Sequence, residues 1–191
     1  MRQFLLVPLL LLSSPLVAQE VTLRGKVEDV LSTGQFVVDC SNTSLVSSAV
    51  NLGAFVGQHV LLTGALLPNT GGPLVNVSSL QPTAEIFEIP GNPQVGEEMR
   101  FAAAFTPGTR VVFFASLAPG FTPVGRAGTL LLDRRQLVRG PTGIIPAPGN
   151  LELEIAVPNI PELIGLDVYA QALLLTGSGM ILSNPDCKEF Q

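Results

Sequence analysis

Tryptophan is absent from the 191 residues, histidine and tyrosine occur once each, and lysine occurs only at Lys26 and Lys188. Each scarcity removes a class of function. With His59 the single imidazole, a Ser-His-Asp or Cys-His group would have to be built on that one residue, and no G-x-S-x-G elbow occurs in the chain. Zinc sites need His and Cys clustered at short spacing, whereas Cys40 and Cys187 stand far apart and His59 has neither beside it. His59 therefore reads as a surface or rim residue. Phosphate binding needs an excess of Lys and Arg, yet the formal net charge is −5, and −6 once Arg2 is removed. Nucleic acid is excluded as a partner. Sugar faces stack on aromatic rings, and one tyrosine without tryptophan offers few.

Charged residues make up 13% of the chain and hydrophobic ones 47%, too apolar for disorder. With 19 glycines and 16 prolines the chain is too turn-rich for a helical protein. That combination points to the all-β class. Residues 1–18, MRQFLLVPLLLLSSPLVA, have the plan of a secretory signal peptide: one basic residue, an apolar run from Phe4 to Leu12, then Ser13, Ser14 and Pro15. A bilayer-spanning helix needs roughly 20 apolar residues, and this run is interrupted too early. Cleavage is expected after Ala18, with Leu16 a departure from the small residue usual at that place. No later run is long enough to span a membrane, so no integral membrane segment is expected after removal. The predicted location is secreted, periplasmic or at the cell surface.

Residues 19–82 read as a first module. Val21, Leu23, Gly25 and Val27 alternate with Thr22, Arg24, Lys26 and Glu28, the period of a half-buried strand. Gln35 to Cys40 returns as its hairpin partner after the Ser32-Thr33-Gly34 turn, and Thr43 to Val50 is a third strand. Asn51 is a candidate cap for a helical turn over Leu52 to Val56 that Gly57 ends. His59 to Leu67 and Leu74 to Leu80 complete five strands. That order predicts a small OB-like Greek-key barrel, with a two-layer sandwich as the competing topology. The phrase Leu52-x-x-Phe55-Val56-Gly57-x-x-Val60-x-Leu62-Thr63-Gly64, after Val21-x-Leu23-x-Gly25-x-Val27, resembles bacterial OB-fold domains, small periplasmic ones included. OB-folds often bind oligonucleotides or sugars on the face of their second and third strands. Here that face offers Gln35, Val37, Asp39, Asn42, Thr43 and Ser44, without an aromatic platform.

Residues 83–191 read as an antiparallel β-sandwich. Seven strand candidates, Ala84 to Ile89, Glu98 to Phe105, Arg110 to Leu117, Gly128 to Asp133, Asn150 to Val157, Leu166 to Leu175 and Gly179 to Leu182, are separated by Pro-Gly clusters. Pro107-Gly108, Pro119-Gly120, Gly140-Pro141 and Pro148-Gly149 are taken as loop markers. The stretch from Val157-Pro158-Asn159-Ile160-Pro161 to Leu182-Ser183-Asn184, with Leu130 to Asp133 upstream, resembles a C-terminal sandwich module of secreted environmental-bacterial proteins. That resemblance implies a fold and a compartment and carries no activity. Asp167, Tyr169 and Gln171 share one strand face and form a candidate ligand stripe; a plain solvated face is the other reading.

Glu97, Glu98, Asp133, Glu152 and Glu154 are acids enough for calcium but lack a calcium-loop spacing. The Asp133-Arg134-Arg135 turn with Arg139 is a small basic patch. No catalytic residue, cofactor or metal is expected. Two cysteines in an exported chain permit a Cys40 to Cys187 disulfide; a buried free Cys40 is the alternative. The expected function is a non-catalytic exported structural or interaction module for a surface component or partner protein. The alternative is a small-ligand or glycan binder using the OB face or Asp167, Tyr169 and Gln171. For the leader, intact-mass measurement of the exported protein is expected to give a chain beginning at or near Gln19; a mass retaining residues 1–18 contradicts the reading.

Overall fold

The computed structural model describes residues 18–191, so residues 1–17 of the expected leader lie outside it. Alternation of buried Val21, Leu23 and Val27 with more exposed neighbours makes β1 (Glu20–Asp29) one wall of a barrel. The other walls are β2 (Phe36–Val38), β3 (Ser44–Val46), β4 (His59–Leu67) and β5 (Leu74–Pro82). The sheet closes in the order β1-β2-β3-β5-β4, with β4 returning to β1 and only β3–β5 parallel. This is the OB arrangement. The connection between β3 and β4 is a single 3-10 turn, Leu52–Phe55, whose Leu52 is buried in the barrel core. Asn51 stands at its start without a side-chain capping bond, which corrects the capping expectation. The third strand is shorter than the sequence implies: the Ser47 hydroxyl accepts from the Ala49 and Val50 amides and donates to Val77 O, turning the chain out of the ladder. Gly64 is required where β4 and β5 approach at a bulge, because a Cβ there would collide with the Asn76 carbonyl oxygen.

The second part contains nine strands rather than seven. They are β6 (Phe87–Glu88), β7 (Glu98–Ala104), β8 (Arg110–Ser116), β9 (Pro119–Pro123), β10 (Thr129–Leu132), β11 (Val138–Ile144), β12 (Asn150–Ala156), β13 (Asp167–Thr176) and β14 (Gly179–Glu189). Sheet β11-β8-β13-β14 faces sheet β12-β7-β6. Between them Phe87, Phe101 and Phe113 pack with ring centroids 5.3 to 5.9 Å apart. Of the four pairs read as loops, Pro107-Gly108 and Pro148-Gly149 lie in turns, whereas Pro119-Gly120 and Gly140-Pro141 lie in strands. Proline is tolerated there because β9 pairs only with β10, and because β11 is an edge strand whose register shifts between Arg139 and Thr142. Strand β14 runs on past Leu182 through Pro185 for the same reason, as the edge of its sheet. No helix among the described residues is long and apolar enough to cross a membrane.

The β9–β10 hairpin joins barrel and sandwich. Leu130 and Leu132 pack with Leu182, Tyr169 and Leu173 on the sandwich, whereas Leu131 belongs to the barrel core. Thr129 Oγ1 donates to Thr22 O at 2.8 Å on the part of β1 that β2 does not reach. A second tie is covalent: Cys40 and Cys187 are bonded, with Cα atoms 5.3 Å apart and a sequence separation of 147. The free Cys40 reading is thereby set aside. In the chain-entropy account a closed loop of this length stabilises the fold by about 5 kcal/mol. Thiol titration under denaturing, non-reducing conditions is expected to find no free thiol, and the double change Cys40→Ser, Cys187→Ser to lower unfolding free energy by a large part of that amount; two free thiols would remove the bridge.

Candidate functional site

The sequence-predicted residues do not converge. Asp167 is exposed and accepts a hydrogen bond of 3.3 Å from the half-buried Tyr169 hydroxyl, whose pKa is raised first by burial and then by the Asp167 charge. Gln171, the third member of that stripe, is fully buried. The β9–β10 hairpin lies over the Gln171 end of this face of β13, so that end is an internal surface while Asp167 stays exposed. Gln171 Oε1 accepts from the Leu131 N–H at 2.9 Å, and its Nε2 donates to Thr129 O at 3.2 Å and Ser183 O at 2.7 Å.

His59 is half-buried at the start of β4, with Nε2 3.5 Å from Glu85 Oε1 and Nδ1 unpartnered among the described residues. On the OB face Thr43 is buried and Asp39 pairs with Lys26 Nζ at 3.5 Å. Among the described residues, the one trio of possible metal ligands in mutual reach is Asp39, Cys40 and Cys187, and both of its sulfurs belong to the disulfide. Glu97, Glu98, Asp133, Glu152 and Glu154 form no such group. Asp133 instead accepts from the Arg135 backbone N–H at 2.9 Å, closing its turn.

A different region has the form of a binding site. At one end of the sandwich, between the flank strands β11 and β12, opens an apolar cleft of about 360 Å³. Its floor is the exposed end of the sandwich core, Met99, Val157, Val168 and Phe190. Its rim carries Leu117 and Val138, 43% and 57% exposed, beside Ile155 and Leu163. The cleft exists because the flank closes at only one end. There Gly143 comes so near Leu151 and Leu153 that a Cβ would sit 2.9 and 3.1 Å from their methyl groups. Past the β11 register shift, Val138 and Ile155 are left facing a gap.

No protein-family model matches the chain, and no curated protein matches it either. Ligand pockets of 300 to 1,000 Å³ are typically apolar with a few polar groups, and this one fits: no ionisable side chain among the described residues lines it, and Ser116 and Gln136 supply its polarity. The Ser116 hydroxyl already accepts from the Ala118 N–H at 3.2 Å. Such a surface offers apolar area to cover and two side chains for hydrogen bonding.

Sequence reasoning missed these residues because Leu117 and Val138 are joined only through the β8–β11 pairing, which no local period reveals. For Gln171 the structure generates a test. Gln171→Leu keeps the volume and leaves the Leu131 N–H and two carbonyls without their partner, and a lost buried bond costs about 1–3 kcal/mol. Urea unfolding is expected to show a loss of about 3 kcal/mol, whereas a solvated Gln171 would give almost none.

Proposed function

We propose that this chain is an exported, non-catalytic interaction module that engages a surface component or partner protein through the apolar cleft. The carrying observation is the cleft of about 360 Å³ with Leu117 and Val138 exposed at its rim. Exposed apolar side chains at a concave site gain free energy when a partner covers them. The compartment is supported by the leader-like start, by the resemblance to secreted modules, and by a disulfide, a bond favoured in oxidising environments. Glycan binding on the Asp167 stripe has lost its third residue to the interior.

Burying one leucine-sized side chain is worth about 2 kcal/mol. That is too little for a lasting complex, so the partner must also use surface beside the cleft. The cleft reading is tested with an apolar fluorophore, N-phenyl-1-naphthylamine. Wild-type protein is expected to bind it saturably, and Val138→Glu, at an exposed rim position, to weaken binding by about tenfold or more with an unchanged melting temperature. Absence of binding, or equal binding by both proteins, overturns the reading.

A further inference from the structure

The two flanks of the sandwich end differently. Where β6 meets β14, side chains stand in for a strand: Asn184 Oδ1 accepts from the Ile86 and Phe87 amides, Asn184 Nδ2 donates to Phe87 O, and Asp186 Oδ2 accepts from the Ile89 N–H at 2.7 Å. On the other flank β12 pairs with β7 alone among the described residues. The register from Asn150↔Ala104 to Ala156↔Glu98, with Val157 N donating to Glu97 O at 2.8 Å, directs the odd-numbered residues of β12 towards β7. The N–H and C=O groups of Glu152, Glu154 and Ala156 therefore point away from the sheet, beside the cleft that Ile155, Ala156 and Val157 line.

We propose that an extended peptide segment of alternating apolar and basic residues docks on this free edge of β12 as an added strand. The inference deepens the proposed function and rests on the cleft being the contact surface. A strand added about 4.8 Å from β12 alternates its side chains in step with it. Leu151, Leu153 and Ile155 turn towards the core and Glu152 and Glu154 towards water, so every second side chain of the added strand faces the cleft. The others face the outer surface of the sheet. There the register sets Glu88 and Glu152 on either side of Ala102, with Glu98 and Glu154 further along and Arg100 opposite Glu154. Hydrogen bonding with Glu154 and the Glu154 charge raise the Glu98 pKa, and the Arg100 charge opposes them. Basic side chains complete this surface. A second copy does not: pairing two β12 edges would set glutamate against glutamate, which is destabilising. At the far end of this edge Gly143 packs against the core-facing side chains of Leu151 and Leu153, so the added strand is short, about five residues.

The probe is an end-blocked peptide of about seven residues alternating valine and lysine, compared with one of the same composition in blocks and one carrying glutamate for lysine. The alternating peptide is expected to bind saturably. The double change Glu152→Lys, Glu154→Lys, at exposed positions, is expected to weaken it about tenfold or more. Hydrogen exchange is expected to slow at the Glu152, Glu154 and Ala156 amides when the peptide is bound. Equal binding of the blocked or glutamate peptides, indifference to the double change, unprotected amides, or protection that depends on protein concentration without peptide each overturns the proposal. If the peptide fails while N-phenyl-1-naphthylamine still distinguishes wild type from Val138→Glu, strand docking is wrong and the cleft reading stands; if both fail, the cleft reading falls as well.

Discussion

The amide of Gln171 holds the molecule together at its least forgiving point. It is buried with its oxygen and nitrogen both bonded, to the backbone of β10 on one side and of β14 on the other. An amide buried without partners would cost several kcal/mol, so the side chain tolerates only one placement of β10. That placement sends Leu130 and Leu132 to the sandwich and Leu131 into the barrel. Each leucine gains about 2 kcal/mol by burial, and together they bond two β units whose cores are otherwise separate. Ser183 completes the knot. At the bulge between Gln171 and Leu173 the Ala172 N–H has lost its strand partner, and the Ser183 hydroxyl accepts from it at 2.9 Å.

Much of the fold was legible because most strands have one wet face. The alternation in β1, and in β12 with its half-buried Leu151, Leu153 and Ile155 between exposed residues, is the record of a sheet covered on one side. Strand β13 defeats that logic. Its first residues alternate apolar and polar, yet around Gln171 both faces are covered, by the second sheet and by the β9–β10 hairpin. A period of two tells which residues share a face and says nothing about what lies over it. One signal was available: Leu130-Leu131-Leu132 is an unbroken apolar run, and a strand apolar on both faces needs a partner on each. Strands β9 and β11 were hidden for another reason, since Pro119 and Pro141 break a central ladder but not an edge one. The cleft lay furthest from view. Its rim residues come from strand ends that only the tertiary pairing brings near each other.

A sandwich has four sheet edges, and each row of unpaired amides invites another chain. This molecule closes one flank internally with Asn184 and Asp186, side chains short enough to reach the β6 backbone and polar enough to imitate it. The other flank keeps its amides in water and sets glutamates beside them. Lysine is the commoner guard at such an edge, and either sign prevents copies of one chain from pairing, because like charges meet. The sign matters only to a different partner. A row of carboxylates with a single arginine among them repels its own kind and attracts a cationic strand, so the residues that keep copies apart would also select the segment that docks as proposed. An edge with neutral side chains would have left that choice to the cleft alone, and apolar burial does not distinguish one hydrophobic segment from another.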